Sequence, residues 1–172
     1  RLFRSEPLPI RRSRGYAPKP LRLGSLGPSV LAVGGELKAA FCVTKDDYAT
    51  MSQHIGDMAH METLDAFTRS VDHFRRLFRV EPEAVACDMH PGYLSTRWAE
   101  RYAQSADVPL IRVQHHHAHL ASLRAEHLYE GPVIGICFDG TGYGSDGAIW
   151  GGEVLHVDDG GFERAAHLKY AP

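Results

Sequence analysis

Three short apolar runs, AVACD (84–88), PLIRV (109–113) and VIGICF (133–138), are separated by stretches of helical periodicity. Buried strands joined through helices pair in parallel, each helix carrying the chain back across the sheet. This arrangement sets the class as α/β and directs attention to the carboxyl ends of the strands, where such sheets carry their working residues. Upstream, VLAVGG (30–35), AAFCVT (39–44) and YATMS (48–52) are joined by short turns, one of them near Lys45–Asp47. They predict an antiparallel meander. Between the two sets, Met58, Met61, Leu64, Phe67, Val71, Phe74, Leu77 and Phe78 recur at three- and four-residue spacing. That stripe predicts one amphipathic helix of about 20 residues with a Met and Phe core face. Further helices are expected over 94–104 and 116–129. After Asp139 the pattern returns to glycine-rich hairpins, AIWGGEVLHV (148–157) and FERAAHLKY (162–170).

Composition narrows the function classes. No apolar run approaches the roughly 20 residues of a membrane helix, and RLFRSEPLPIRR has no apolar signal-peptide core. No membrane association is expected. The cysteines Cys42, Cys87 and Cys137 are far apart and form no CxxC, which argues against a disulfide scaffold or a zinc finger and fits a reducing cytosol. The net charge of −2 hides a split: residues 1–22 carry seven basic side chains against Glu6 alone, leaving 12 basic against 20 acidic in the remainder. Pro7, Pro9, Pro18 and Pro20 make that basic strip an extended connector over about 1–28 rather than a nucleic-acid reader.

The strand ends hold the chemistry. The first parallel strand runs into Asp88-Met89-His90-Pro91, and the second into Gln114-His115-His116-His117-Ala118-His119. In a helix starting near 115, His115 and His119 share a face and can grip one cation, whereas His116 and His117 point elsewhere as supporting or packing groups. Asp139, at the end of the third run, is the natural third ligand. Two imidazoles and a carboxylate leave positions open for water or substrate, and this set suits iron or zinc. A metal-dependent hydrolase is an alternative reading, with Asp88 or His90 as base.

From Asp139 to Gly147, four of nine residues are glycine. Gly140, Thr141, Gly142, Tyr143 and Gly144 are candidates for receiving phosphate through backbone N–H groups and the Thr141 hydroxyl. A P-loop is ruled out by the absence of its GK[ST] ending. A second glycine turn, VGGELKAAF (33–41), brings Lys38 near the first strand as a possible point-charge clamp. The cysteines have no basic neighbour arranged to activate them and are assigned to packing.

GGELK (34–38), SQHIGDM (52–58), DMHPGYLST (88–96), VQHHHAH (113–119) and DGTGYGSDGAIWGGE (139–153) together resemble the Kae1-like part of the HypF carbamoyltransferases of nickel–iron hydrogenase maturation. IRRSRGYAP (10–18) resembles the connector from the preceding YrdC-like domain of that family. The resemblance implies an actin/Hsp70-type (ASKHA) ATPase fold. Residues 29–129 would form its first lobe (βββαβαβ and the crossing helix), and 130–172 the beginning of the second. Asp139 would face His115 and His119 across the cleft. It further implies ATP or carbamoyl-adenylate as ligand, a divalent iron or zinc ion with magnesium as another option, and the C-terminal cysteine of HypE as acceptor. On this resemblance the chain lacks the YrdC-like domain and most of the second lobe, and little turnover is expected of it alone. Kae1-type tRNA threonylcarbamoyl transfer is the runner-up within the fold, and a non-catalytic binding module is the bland alternative.

Overall fold

The computed structural model describes residues 16–169, so most of the expected basic connector lies outside the described residues. The elements are β1 (Leu21–Arg22), β2 (Val30–Val33), β3 (Phe41–Lys45), β4 (Tyr48–Met51), α1 (Met61–Phe78), β5 (Ala84–Asp88), α2 (Leu94–Ala106), β6 (Leu110–Val113), α3 (His115–Glu126), β7 (Val133–Tyr143), β8 (Ile149–Asp158) and β9 (Gly161–His167). The first six strands make one sheet in the order β1-β4-β3-β2-β5-β6, and the last three make a second, antiparallel sheet.

The meander forms as its pattern predicts, with β2, β3 and β4 antiparallel. Its tight turn places Asp46 at φ 54, a left-handed position that aspartate tolerates. β2 pairs in parallel with β5, and β5 with β6. The third apolar run does not join them. β7 opens the separate sheet instead, and its alternating pattern of exposed and buried residues is that of a one-sided antiparallel strand. The tail of the connector also contributes what the sequence did not suggest: Leu21 and Arg22 pair with Ala49 and Tyr48 as an edge strand.

One face of the large sheet is covered by α1 and α2. Leu31, Val33, Phe41, Val43 and Val85 from the strands meet Phe67 and Val71 of α1 and Trp98, Ala99 and Ala103 of α2. Phe67 stands edge-on to both Phe41 (5.4 Å) and Trp98 (4.9 Å), the arrangement that aromatic quadrupoles favour. The expected stripe needs two corrections. Met58 lies before the helix yet is fully buried, and Met61 and Leu77 are exposed, because an 18-residue helix at 100° per residue turns both away from the sheet. A second core under α3 joins Leu120 to Cys137, Trp150, Leu155 and Val157. Gly135 is required there, since a Cβ would come 2.2 Å from Leu120. The opposite face of β7 leaves Ile134, Ile136 and Phe138 exposed. Among the described residues, no helix is long and apolar enough to cross a membrane.

Helix ends are satisfied by distant residues. Lys45 Nζ donates to the carbonyls of Phe78 and Arg79 (both 3.2 Å) at the end of α1. Tyr93, before α2, offers no side-chain cap, and the Glu36 carboxylate accepts from Leu94 N (2.7 Å) and Ser95 N (3.3 Å) in its place. A carboxylate at a helix N-terminus satisfies free N–H groups and complements the helix dipole. Glu36→Ala is therefore expected to lower stability by about 1 kcal/mol, read as a lower urea midpoint with an unchanged slope.

Candidate metal centre

β5 and α3 meet at the end of the large sheet, where Asp88 closes the strand and His115 opens the helix. Gln114 caps α3: its Oε1 accepts from His117 N (2.9 Å), while its Nε2 reaches Tyr143 O on β7 (3.3 Å). Glutamine is an unusual cap, and its role was not visible in the sequence, because it depends on a carbonyl 29 residues away. The cap starts the helix at His115, where the shared face of His115 and His119 requires it, and the helix ends at Glu126 rather than near 129. His119 therefore follows His115 after one full turn.

β7 continues past its apolar run to Tyr143, with a register irregularity between Phe138 and Gly142. The glycine segment is thus mostly strand, and the turn itself falls at Gly144–Ala148. The irregularity releases Asp139 from regular pairing and lets its carboxylate face α3. Asp139 Oδ2 lies 2.8 Å from His115 Nε2 and 3.0 Å from His119 Nε2, and Oδ1 accepts from Gly140 N (2.8 Å). The three donor atoms of His115, His119 and Asp139 lie within 4.8 Å of one another. Two aromatic nitrogens converging on one carboxylate oxygen fit a zinc or iron ion with further positions open.

The electrostatics agree with that geometry. His115 has a carboxylate at each nitrogen, with Asp88 Oδ2 2.8 Å from Nδ1. The hydrogen bond to Asp88 raises the imidazole above its ordinary value, overcoming burial, with Asp139 adding to it. Nε2, facing Asp139, stands where a cation would bind. Burial pushes the Asp139 carboxyl up, but the bonds from His119, Gly140 and His115 outweigh it and hold it below the usual range. His116 is fully buried, near-parallel to Trp150 and with Nδ1 3.2 Å from Gln114 Nε2; burial lowers its basicity. His117 packs on Phe162. Both are packing groups.

The candidate phosphate residues divide. Gly140 and Thr141 are exposed beside Asp139, and a Cβ on Gly140 would meet nothing within 4 Å. Gly142 and Gly144 are buried, and their missing side chains make room for His116 and for Trp150 with Asp146. Tyr143 is half-buried, edge-on to His90 at 5.2 Å. Lys38 sits exposed at φ 57 in the first glycine turn and makes no side-chain hydrogen bond among the described residues. Gly35 in the same turn faces Tyr93 and His115. Burial pushes the Cys42 thiol up to about 12 and the Cys87 thiol up to about 11, and raises Cys137 as well. None of the three is an activated nucleophile.

Comparison with known proteins gives concordant results. Residues 25–126 match the HypF Kae1-like domain model, and residues 135–172 match the second subdomain of the carbamoyltransferase Kae1-like domain. The carbamoyltransferase HypF2 of Cupriavidus necator is 46% identical over 171 residues, covering 97% of this chain and 21% of that protein. A crystal structure of full-length HypF in its phosphate- and nucleotide-bound form superposes with a TM-score of 0.84 at 53% identity, covering 91% of this chain and 20% of that one. The crystal structure of T.kodakarensis HypF gives 0.86 at 44% identity, over 94% and 21%. The chain spans about a fifth of the length of the HypF proteins of Cupriavidus necator and Rhizobium leguminosarum that it matches. With its motifs, two sheets and matched models in agreement along nearly its whole length, the chain belongs to the HypF family, in the Kae1-like domain of these carbamoyltransferases.

Proposed function

We propose that this chain supplies the metal- and phosphate-facing part of a carbamoyltransferase that moves a carbamoyl group from carbamoyl-adenylate to a protein thiol, the C-terminal cysteine of HypE, in hydrogenase maturation. The convergence of His115, His119 and Asp139 at the start of α3 carries this reading, together with relatives named carbamoyltransferases. In the proposal the fold is of the actin/Hsp70 type. Residues 29–129 form the first lobe, residues 130–172 begin the second, and the basic segment 1–28 leads in from a YrdC-like domain.

His115, His119 and Asp139 would hold iron or zinc. When bound, the ion would supply positive charge to offset a developing oxyanion. The Thr141 hydroxyl, exposed beside Asp139, would receive an adenylate phosphate oxygen approaching over the open backbone of Gly140, with Lys38 as a further cation. As the acceptor sulfur bonds to the carbamoyl carbon, the bond from that carbon to the AMP oxygen breaks, and the thiol proton leaves to a base. The hydrolase alternative is less well supported, because both oxygens of Asp88 are engaged by His90 N and His115, and His90 is stacked on Tyr93 with its Nδ1 accepting from Gly92 N.

His119 is more than half exposed, so its removal spares the core. In the full-length protein, His119→Ala is expected to lose stoichiometric iron or zinc in elemental analysis. It is also expected to stop carbamoylation of the acceptor cysteine, followed by mass spectrometry. Undiminished metal and transfer would overturn the reading.

A further inference from the structure

Asp88 is the last residue of β5 and only 8% exposed. A carboxylate so enclosed is costly unless its oxygens are satisfied. Both are: Oδ1 accepts from His90 N at 2.8 Å, and Oδ2 faces His115 Nδ1 at 2.8 Å. The first contact is to backbone and fixes the carboxylate, so the second fixes the imidazole. A carboxylate is an acceptor, so Nδ1 against the enclosed Asp88 carries a hydrogen, and Nε2, on the side of the other two ligands, is the nitrogen left to offer its lone pair to a cation. The His119 ring has no comparable anchor and, among the described residues, hydrogen-bonds only Asp139.

We propose that Asp88 is the positioning residue of the metal centre: it holds Nδ1 of His115, sets the ring's tautomer and aims Nε2 at the cation. This rests on the metal reading above and deepens it. The ligands stand on α3 and β7, so Asp88 is how the large sheet takes part, from β5 through one hydrogen bond. Carboxylates in this relation to a ligating histidine raise its basicity and restrict its orientation.

The test is zinc binding by the full-length protein, measured by competition with a chromophoric chelator. Asp88→Asn, which keeps the size and removes the charge, is expected to weaken affinity about 10–100-fold with unchanged stoichiometry, whereas His119→Ala abolishes stoichiometric uptake. A purely structural role for Asp88 would instead lower the melting temperature of the metal-free protein and leave zinc affinity intact, which overturns the proposal. A second measurement needs no variant. Histidine proton–nitrogen spectra of the zinc-loaded wild type should show His115 protonated at Nδ1 and bound through Nε2; the reverse tautomer is equally fatal. If the wild type takes up no zinc, the metal reading itself falls and this proposal with it. If the wild type binds and Asp88→Asn binds as tightly, only the role of Asp88 falls.

Discussion

Gly142→Ala is expected to destabilise the second sheet and weaken the metal centre together, although it changes no ligand. A Cβ on Gly142 would lie 2.6 Å from His116 Cε1, 2.8 Å from His116 Nδ1 and 3.0 Å from His115 Cβ. His116 cannot swing aside, because it is fully buried against Trp150 and beside Gln114. The strain must go into separating α3 from β7, at about 1–3 kcal/mol for overpacking of this size. That separation pulls His115 and His119 away from Asp139, whose contacts with them are only 2.8 and 3.0 Å. Urea denaturation should show the stability loss, and chelator competition should show weaker zinc binding in the same variant. Gly140→Ala is the control: its Cβ meets open space, and its stability should stay within about 0.5 kcal/mol of wild type. Gly140→Ala also isolates the phosphate proposal, since it places a methyl where an oxygen would approach without disturbing α3. A Gly142→Ala protein with wild-type denaturation and zinc affinity would refute the packing argument.

The two roles of these glycines explain how far the sequence could be read. Spacing brought out the histidine pair and the strand-end carboxylates, because periodicities of 3.6 and 2 determine which side chains share a face. Spacing alone gave three glycines one common role, because a glycine that admits phosphate and one that admits a histidine ring look alike in sequence. The same limit hid Glu36 and Gln114, whose capping contacts depend on how distant segments approach. It also accounts for β7. An apolar run after a helix reads as another parallel strand, but its Ile134, Ile136 and Phe138 face outward while Gly135 and Cys137 face the core. That one-sided burial belongs to a strand of the second sheet. The Asp139 geometry needed both this change of sheet, which the family resemblance implied but periodicity did not, and the irregularity after Phe138, which leaves no local pattern.

The largest loss of stability away from the metal centre is expected from Arg164→Ala. Glu153 is 1% exposed, and Arg164 Nε donates to its Oε2 at 2.6 Å while Gly151 N donates to Oε1 at 3.1 Å. The guanidinium also lies 4.1 Å above the Trp150 ring and 3.3 Å from Asp146. Removing it strands a buried carboxylate and uncovers an aromatic core residue, at about 3–5 kcal/mol. The pH dependence identifies the cause. In the wild type, burial pushes the Glu153 carboxyl up, but Arg164 and Gly151 outweigh it and hold it below its ordinary 4.5. A depressed folded value contributes stability that is complete above the unfolded value and is lost as pH falls through the folded one. Without Arg164, burial dominates, Glu153 takes up a proton more readily, and acidification relieves the variant. The stability gap between wild type and Arg164→Ala should therefore be widest near neutral pH, begin to narrow above 4.5 as Glu153 of the variant takes up its proton, and narrow further below 4.5 as the wild type loses its own contribution, measured by urea midpoints across a pH series. Glu153→Gln in the Arg164→Ala background should recover part of the loss at neutral pH, since it removes the stranded charge and keeps the shape. A gap independent of pH would assign the loss to packing over Trp150 alone.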